Sequence, residues 1–189
     1  MKIFNNQLEL TMYWEGFKST AYRCPAGVIT IGFGSTRDMD NFPIKEGEVW
    51  TLEQAKERLE FVLDDALRHD LMMKLNRKIF LSLSEEKTCS LLDYAYNAGI
   101  NAFPTLIKKL NIGDMEGASL EFLDSIYVAK KPLLGLLLRR ISEYNTFTTG
   151  QYIAWEKGDP ISQDLKDKLL SKNAKNQDAV NMINQFKVK

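Results

Sequence analysis

The sequence predicts an α+β protein: a small β-hairpin lobe, a larger helical lobe, a long helix joining the two, and a C-terminal helical extension. Three observations predict it. Extended-favouring residues flank a Pro/Gly turn early in the chain, at Ala21-Tyr22-Arg23 and Val28-Ile29-Thr30-Ile31. A helical period then continues for about 20 residues after Thr51. Most of the segment from Ser84 to Phe147 also repeats its apolar residues at helical spacing.

Taken in order, Leu8 and Met12 set a short amphipathic helix from about Asn5, which Gly16 stops, so that Glu15 stands at its end. The hairpin turns at Cys24-Pro25-Ala26-Gly27, and residues 35–47 read as loop or as a third, irregular strand. Thr51 with Gln54 forms a capping-box pattern, and Leu52, Ala55, Leu59, Val62, Leu63, Ala66 and Leu67 carry the long helix to near Leu75. Ser84 caps the next helix, whose apolar face ends at Gly99. Further helices are expected at Thr105–Leu110, Asp114–Ile126 and Leu133–Phe147. Residues 1–148 make the expected main domain, with a β lobe at about 16–48 and a helical lobe at about 51–148. Residues 149–189 form the extension, lysine-rich towards its end, with surface binding or a solvated capping helix as its alternative roles.

Composition removes several function classes. The 25 basic and 25 acidic side chains cancel, which gives no support for a nucleic-acid partner. The one histidine, His69, lies in a charged helical stretch and reads as solvated; a metal site would have to draw on Cys24 and Cys89, far apart in sequence. No metal and no cofactor are expected. Two cysteines do not make a disulfide framework, Cys89 sits on an apolar helical face as a core residue, and a reducing compartment is expected. No apolar run approaches the roughly 18 to 20 residues that span a membrane. The N-terminus is too polar for a signal peptide, so the expected localisation is the compartment of synthesis. What remains is chemistry that carboxylates, hydroxyls or a thiol can perform.

The informative stretch is Trp14 to Thr36. Glycosidic cleavage needs an acid to protonate the leaving oxygen and a second group to direct water or stabilise an oxocarbenium-like transition state. Glu15, between Trp14 and close to Phe17, reads either as such an acid or as a solvated, helix-capping glutamate. Spacing alone leaves both open.

At these residues the chain resembles the phage-type lysozymes, glycoside hydrolase family 24. The family pattern is Glu, eight residues, Asp or Cys, five residues, Thr, and Glu15, Cys24 and Thr30 fall on it. The resemblance continues through T-L-E-Q-A-K at 51–56, Y-A-Y-N-A-G at 94–99, L-I-K-K-L-N at 106–111 and G-L-L-L-R-R-I-S-E-Y-N-T-F at 135–147. Three positions depart from it: cysteine stands for the commoner aspartate, Gly32-Phe33-Gly34-Ser35-Thr36 lacks the histidine of G-Y-G-H-T, and a tryptophan is missing near Asp124-Ser125-Ile126.

The resemblance implies a lysozyme-like fold and an endolysin that cuts peptidoglycan between N-acetylmuramic acid and N-acetylglucosamine. Glu15 is implied as general acid, with Arg139 as its basic partner rather than a surface arginine. Cys24 then helps to place the water, stabilises charge at the sugar carbon, or is a half-buried cysteine without a role. The Thr30 hydroxyl holds the water for an inverting attack, or is a strand residue. Tyr96 lines the cleft or packs in the core. The rivals are a lytic transglycosylase and a peptidoglycan-binding protein weakened by Cys24. The implied partners are peptidoglycan strands and a holin, on which release from the host cytoplasm to the periplasm and wall depends; a monomer is expected.

Overall fold

Each lobe is built around local signals already visible in the chain. The structure, a computed structural model, describes residues 1–24 and 26–189, so Pro25 of the expected hairpin turn lies outside the described residues. A short strand β1 (Lys2–Ile3) leads into helix α1 (Gln7–Glu15). The Asn6 side chain accepts the backbone N–H of Glu9 at 3.0 Å, and Gly16, at φ +68°, ends the helix. Strands β2 (Lys18–Arg23) and β3 (Ile29–Gly32) pair antiparallel, with Tyr22 opposite Thr30 and Arg23 opposite Ile29. Residues 35–49 fold back as a loop held by single bridges, Arg37 to Pro43 and Val49 to Thr20. Gly32 takes φ +66°, and a Cβ there would stand 3.0 Å from the Ala55 Cβ and 3.2 Å from the Trp50 ring. The β lobe can therefore seat on the joining helix only with glycine at this turn.

That helix begins with the expected capping box: the Gln54 N–H donates to Thr51 and the Thr51 N–H donates to Gln54. It runs as α2 (Leu52–Phe61), a wider π-helical stretch (Val62–Leu67) and α3 (Arg68–Lys74). A short α4 (Arg77–Ser82) precedes α5 (Glu85–Ala98), capped by Ser84 and ended by Gly99 at φ +87°. Then come α6 (Pro104–Asn111) and α7 (Met115–Phe122). The helix expected over Asp114–Ile126 thus stops at Phe122, and β4 (Tyr127–Val128) and β5 (Lys131–Pro132) form a hairpin instead. Its turn uses Ala129 and Lys130 at φ +48° and +68°, residues that do not announce a left-handed turn.

Helix α8 (Leu134–Thr149) ends at Gly150, and β6 (Ile153–Ala154) returns to pair with β1. Helices α9 (Gln163–Asn173) and α10 (Gln177–Asn184) complete the chain. Two cores result. The first unites Ile31, Phe33, Leu59, Leu92, Tyr94 and Phe122; the second unites Leu137 and Ile141 of α8 with Trp155, Ile161, Leu169 and Ile183. Residues 150–189 therefore supply much of the second core and also clamp α1. Trp14 packs on that core, the Tyr13 hydroxyl donates to Glu156 at 3.0 Å, and the Met1 amino group pairs with Asp159. His69 is exposed, Cys89 is buried, and both cysteines are free. Among the described residues no helix is long and apolar enough to cross a membrane.

Leu169 is fully buried in the second core, so Leu169→Ala should cost about 2–5 kcal/mol in chemical denaturation. Ending the chain after Phe147 should uncover Leu137 and Ile141 and lower the melting temperature.

Candidate active site

Glu15 closes helix α1, and that place shapes its chemistry before any tertiary neighbour is counted. The last turn of a helix presents unpaired carbonyls and the negative end of the macrodipole, which disfavour an ionised carboxylate. The side chain is 20% exposed and faces a cleft of about 320 Å³. Gly34, Ser35 and Arg37 of the β lobe, Arg58 and Val62 of the joining helix, and Tyr96 and Asn97 of α5 line it with Glu15. Gly34 has φ +96°, and a Cβ there would lie 3.6 Å from Glu15 Oε2. Glycine at this point keeps the approach to the carboxyl open. The Tyr96 hydroxyl donates to the Phe33 carbonyl at 2.7 Å, so Tyr96 both lines the cleft and ties the lobes together.

Burial pushes the Glu15 carboxyl above the ordinary glutamate range; Arg139 pulls it down without cancelling the rise, and Asp93 adds to it. Arg139 Nη1 donates to Glu15 Oε1 at 2.6 Å. The same guanidinium donates through Nε and Nη2 to the two carboxylate oxygens of Asp93, at 3.1 and 3.0 Å. Thr11 donates to Asp93 at 2.7 Å, and Gln7 donates to Thr11 at 2.6 Å. Arg140 donates to Asn97 at 2.7 Å and to Glu143 at 2.8 Å, and stacks on Tyr94.

Asp93 and Glu143 stand close together inside the protein, and their surroundings push their titrations apart. Burial drives Glu143 well above the carboxylate range, whereas Arg139 and Thr11 outweigh burial at Asp93 and hold it low. Arg139 and Arg140, neighbours on α8, face these buried carboxyl groups.

Cys24 follows β2 and is half-buried; Thr30, in β3, is buried. The hairpin brings the two near each other, with the Cys24 N–H donating to the Val28 carbonyl at 2.9 Å. Backbone groups at Val28 and Ala26, with Thr30, hold the Cys24 thiol below its ordinary value by favouring the thiolate. The Thr30 hydroxyl donates to the Val28 carbonyl at 3.2 Å. The fold thus forms two groups, Glu15 with Arg139 and Tyr96, and Cys24 with Thr30. Neither Cys24 nor Thr30 is among the residues that line the cleft at Glu15. Sequence reasoning missed Asp93, Glu143, Arg58 and Arg37. A signal existed for Asp93, a lone charge inside the apolar run Leu91-Leu92-Asp93-Tyr94-Ala95.

Because the folded-state value of Glu15 is raised, the stability it contributes is present at low pH and declines as pH rises through that value. Glu15→Gln should therefore melt at a higher temperature than the parent at pH 7, and the gap should close near about pH 3, where both forms are neutral.

A model of the phage lysozyme family matches residues 12–143. The endolysin of Acyrthosiphon pisum secondary endosymbiont phage 1 is 34% identical over 153 residues, 78% of this chain and 98% of that protein. The crystal structure of a P22 lysozyme mutant is 28% identical and covers 79% of this chain and 99% of its own, with a TM-score of 0.65. The muramidase domain of SpmX from Asticaccaulis excentricus is 25% identical, covers 78% of this chain and 98% of its own, and superposes with a TM-score of 0.64. With the lysozyme-like α+β fold shared across both lobes and the match spanning the segment from α1 to α8, the chain belongs to the phage lysozyme family and is a glycoside hydrolase.

Proposed function

We propose that the protein is an endolysin that hydrolyses the β-1,4 bond between N-acetylmuramic acid and N-acetylglucosamine in peptidoglycan, with Glu15 as general acid. The observation that carries this reading is a carboxyl group pushed upwards by burial in an interlobe cleft, with Arg139 bound to it at 2.6 Å. Glu15 gives its proton to the glycosidic oxygen as the bond to the sugar carbon breaks. The carboxylate left behind is met by Arg139. Water attacks the opposite face of the sugar carbon, placed by Thr30, and its proton passes to the Cys24 sulfur, whose thiolate form the turn favours. A hydroxyl and a cysteine sulfur serve in that task, and the configuration inverts. Among relatives, the muramidase domain of SpmX and several proteins named endolysin support the same substrate class.

Residues 1–148 hold this chemistry, and residues 149–189 act as a buttress for α1, the helix that carries the acid. Release to the wall depends on a holin, so the folded enzyme waits in the host cytoplasm and works in the periplasm after the membrane is permeabilised. The enzyme acts as a monomer.

Glu15→Gln should lower reducing-end release from purified sacculi by about 100-fold or more, and substantial lysis by that variant would reject the assignment. Activity of the parent should fall as pH rises through the raised Glu15 value, because only the protonated acid serves. Cys24→Asp should remain active and Cys24→Ala should be impaired; a fully active alanine variant removes the thiol from the mechanism. Mass spectrometry of the released muropeptides should find reducing ends, since 1,6-anhydro products, lighter by one water, would instead identify a transglycosylase.

A further inference from the structure

Arg58 is the anomaly of the cleft. It projects from α2 and is only 7% exposed, yet its guanidinium makes no hydrogen bond and no ion pair with any other described residue. Nε and Nη1 are both buried without an acceptor. Its planar head instead lies 5.3 Å from the Phe61 ring. Buried Arg139 and Arg140 show the contrast, since each is paired with at least one carboxyl group. Arginine does not shed its proton inside a protein, so Arg58 cannot escape burial by becoming neutral.

The nearby charges do not satisfy it. Arg37, also in the cleft, repels it. Asp38 attracts it from a distance, but that carboxylate accepts the backbone N–H groups of Asp40 and Phe42 in its own loop. The Tyr96 hydroxyl is spent on the Phe33 carbonyl. A buried cation with unfilled donors costs stability, and such a cost persists where the group meets a ligand.

We propose that Arg58 is a substrate-binding residue that pairs with a carboxylate carried by the glycan strand in this cleft. The proposal rests on the glycan-hydrolase reading of the same cleft. A carboxylate supplies both the missing counter-charge and a planar pair of acceptors that match the guanidinium. Neutral sugar hydroxyls and acetamido carbonyls supply acceptors but no charge. On a peptidoglycan strand the carboxylate is either that of a muramic acid lactyl group freed from its peptide or one on the attached peptide stem. Arg58 thereby makes the cleft prefer muramic-acid strands to neutral chitin-type strands.

Arg58→Met keeps the packing against Phe61 and removes every donor. In the Glu15→Gln background, calorimetry would compare its affinity with that of the Arg58 parent for three ligands: peptide-bearing disaccharide oligomers, the same oligomers stripped of peptide by an amidase, and neutral chitin oligosaccharides. The expected result is a loss of about tenfold or more on at least one carboxylate-bearing ligand beyond any change on chitin oligosaccharides. Which ligand shows it identifies the source of the carboxylate. The melting temperature of Arg58→Met should equal or exceed that of the parent, whereas a structural arginine would lower it. Equal affinities on all three ligands, an equal loss on the neutral one, or a lowered melting temperature with unchanged affinities would each overturn the proposal. Failure of the underlying reading looks different, because then the unaltered protein releases no muropeptides from sacculi.

Discussion

The structure depends on the guanidinium of Arg139. It is almost fully buried and is held by Glu15 from the end of α1, Asp93 from the middle of α5 and Glu143 from its own helix α8. Three helices distant in sequence are thus fixed at one point. An isolated ion at that depth would be prohibitive, and Asp93, bound through both carboxylate oxygens, meets that need most directly. Glu15 is thereby fixed against Arg139 at the cleft-facing end of a frame whose buried end is made by Asp93 and Glu143.

That frame would be of little use if α1 could tilt. Helix α1 has only nine residues and would be marginal alone. The segment after Gly150 braces it through β6 on β1, Glu156 on Tyr13 and the second core beneath Trp14. Little of this was legible. The extension reads as lysine-rich because its charged residues are frequent, and its apolar residues, Trp155, Ile161, Leu165, Leu169, Ile183 and Phe186, are spaced across two short helices and the loops before and after them. No single window holds enough of them to show a period. The signals that were legible are those that act within a few residues: the Thr51–Gln54 box, the Ser84 cap and the glycines at 16 and 99. The hairpin at 127–132 escaped notice because Ala129 and Lys130 take positive φ without the glycine or asparagine that normally marks it.

The candidate site divides in the same way. Glu15, Cys24 and Thr30 lie within 16 residues of one another along the chain, so their spacing could be read. Asp93, Glu143 and Arg58 act through contacts between helices, and nothing in a linear pattern says which charged residue of a helix will point inwards. Asp93 was the exception in principle, since a lone aspartate among leucines and tyrosines must find a partner or be excluded. Its partner, Arg139, stood in a dibasic pair whose two members meet at Glu143, while Arg139 alone reaches Glu15 and Asp93.

A formal net charge of zero looks ill-suited to an anionic wall, but net charge governs attraction only beyond a Debye length, about 8–10 Å in ordinary salt. Inside the cleft the local distribution decides. Arg37 and Arg58 line it, Glu15 is held towards its neutral form, and Arg139 stands behind the acid. The acidic side chains that balance the total stand largely elsewhere, on surfaces where water and salt screen them. An enzyme so arranged gains little long-range steering. Its positive charge is concentrated instead at the walls that flank Glu15.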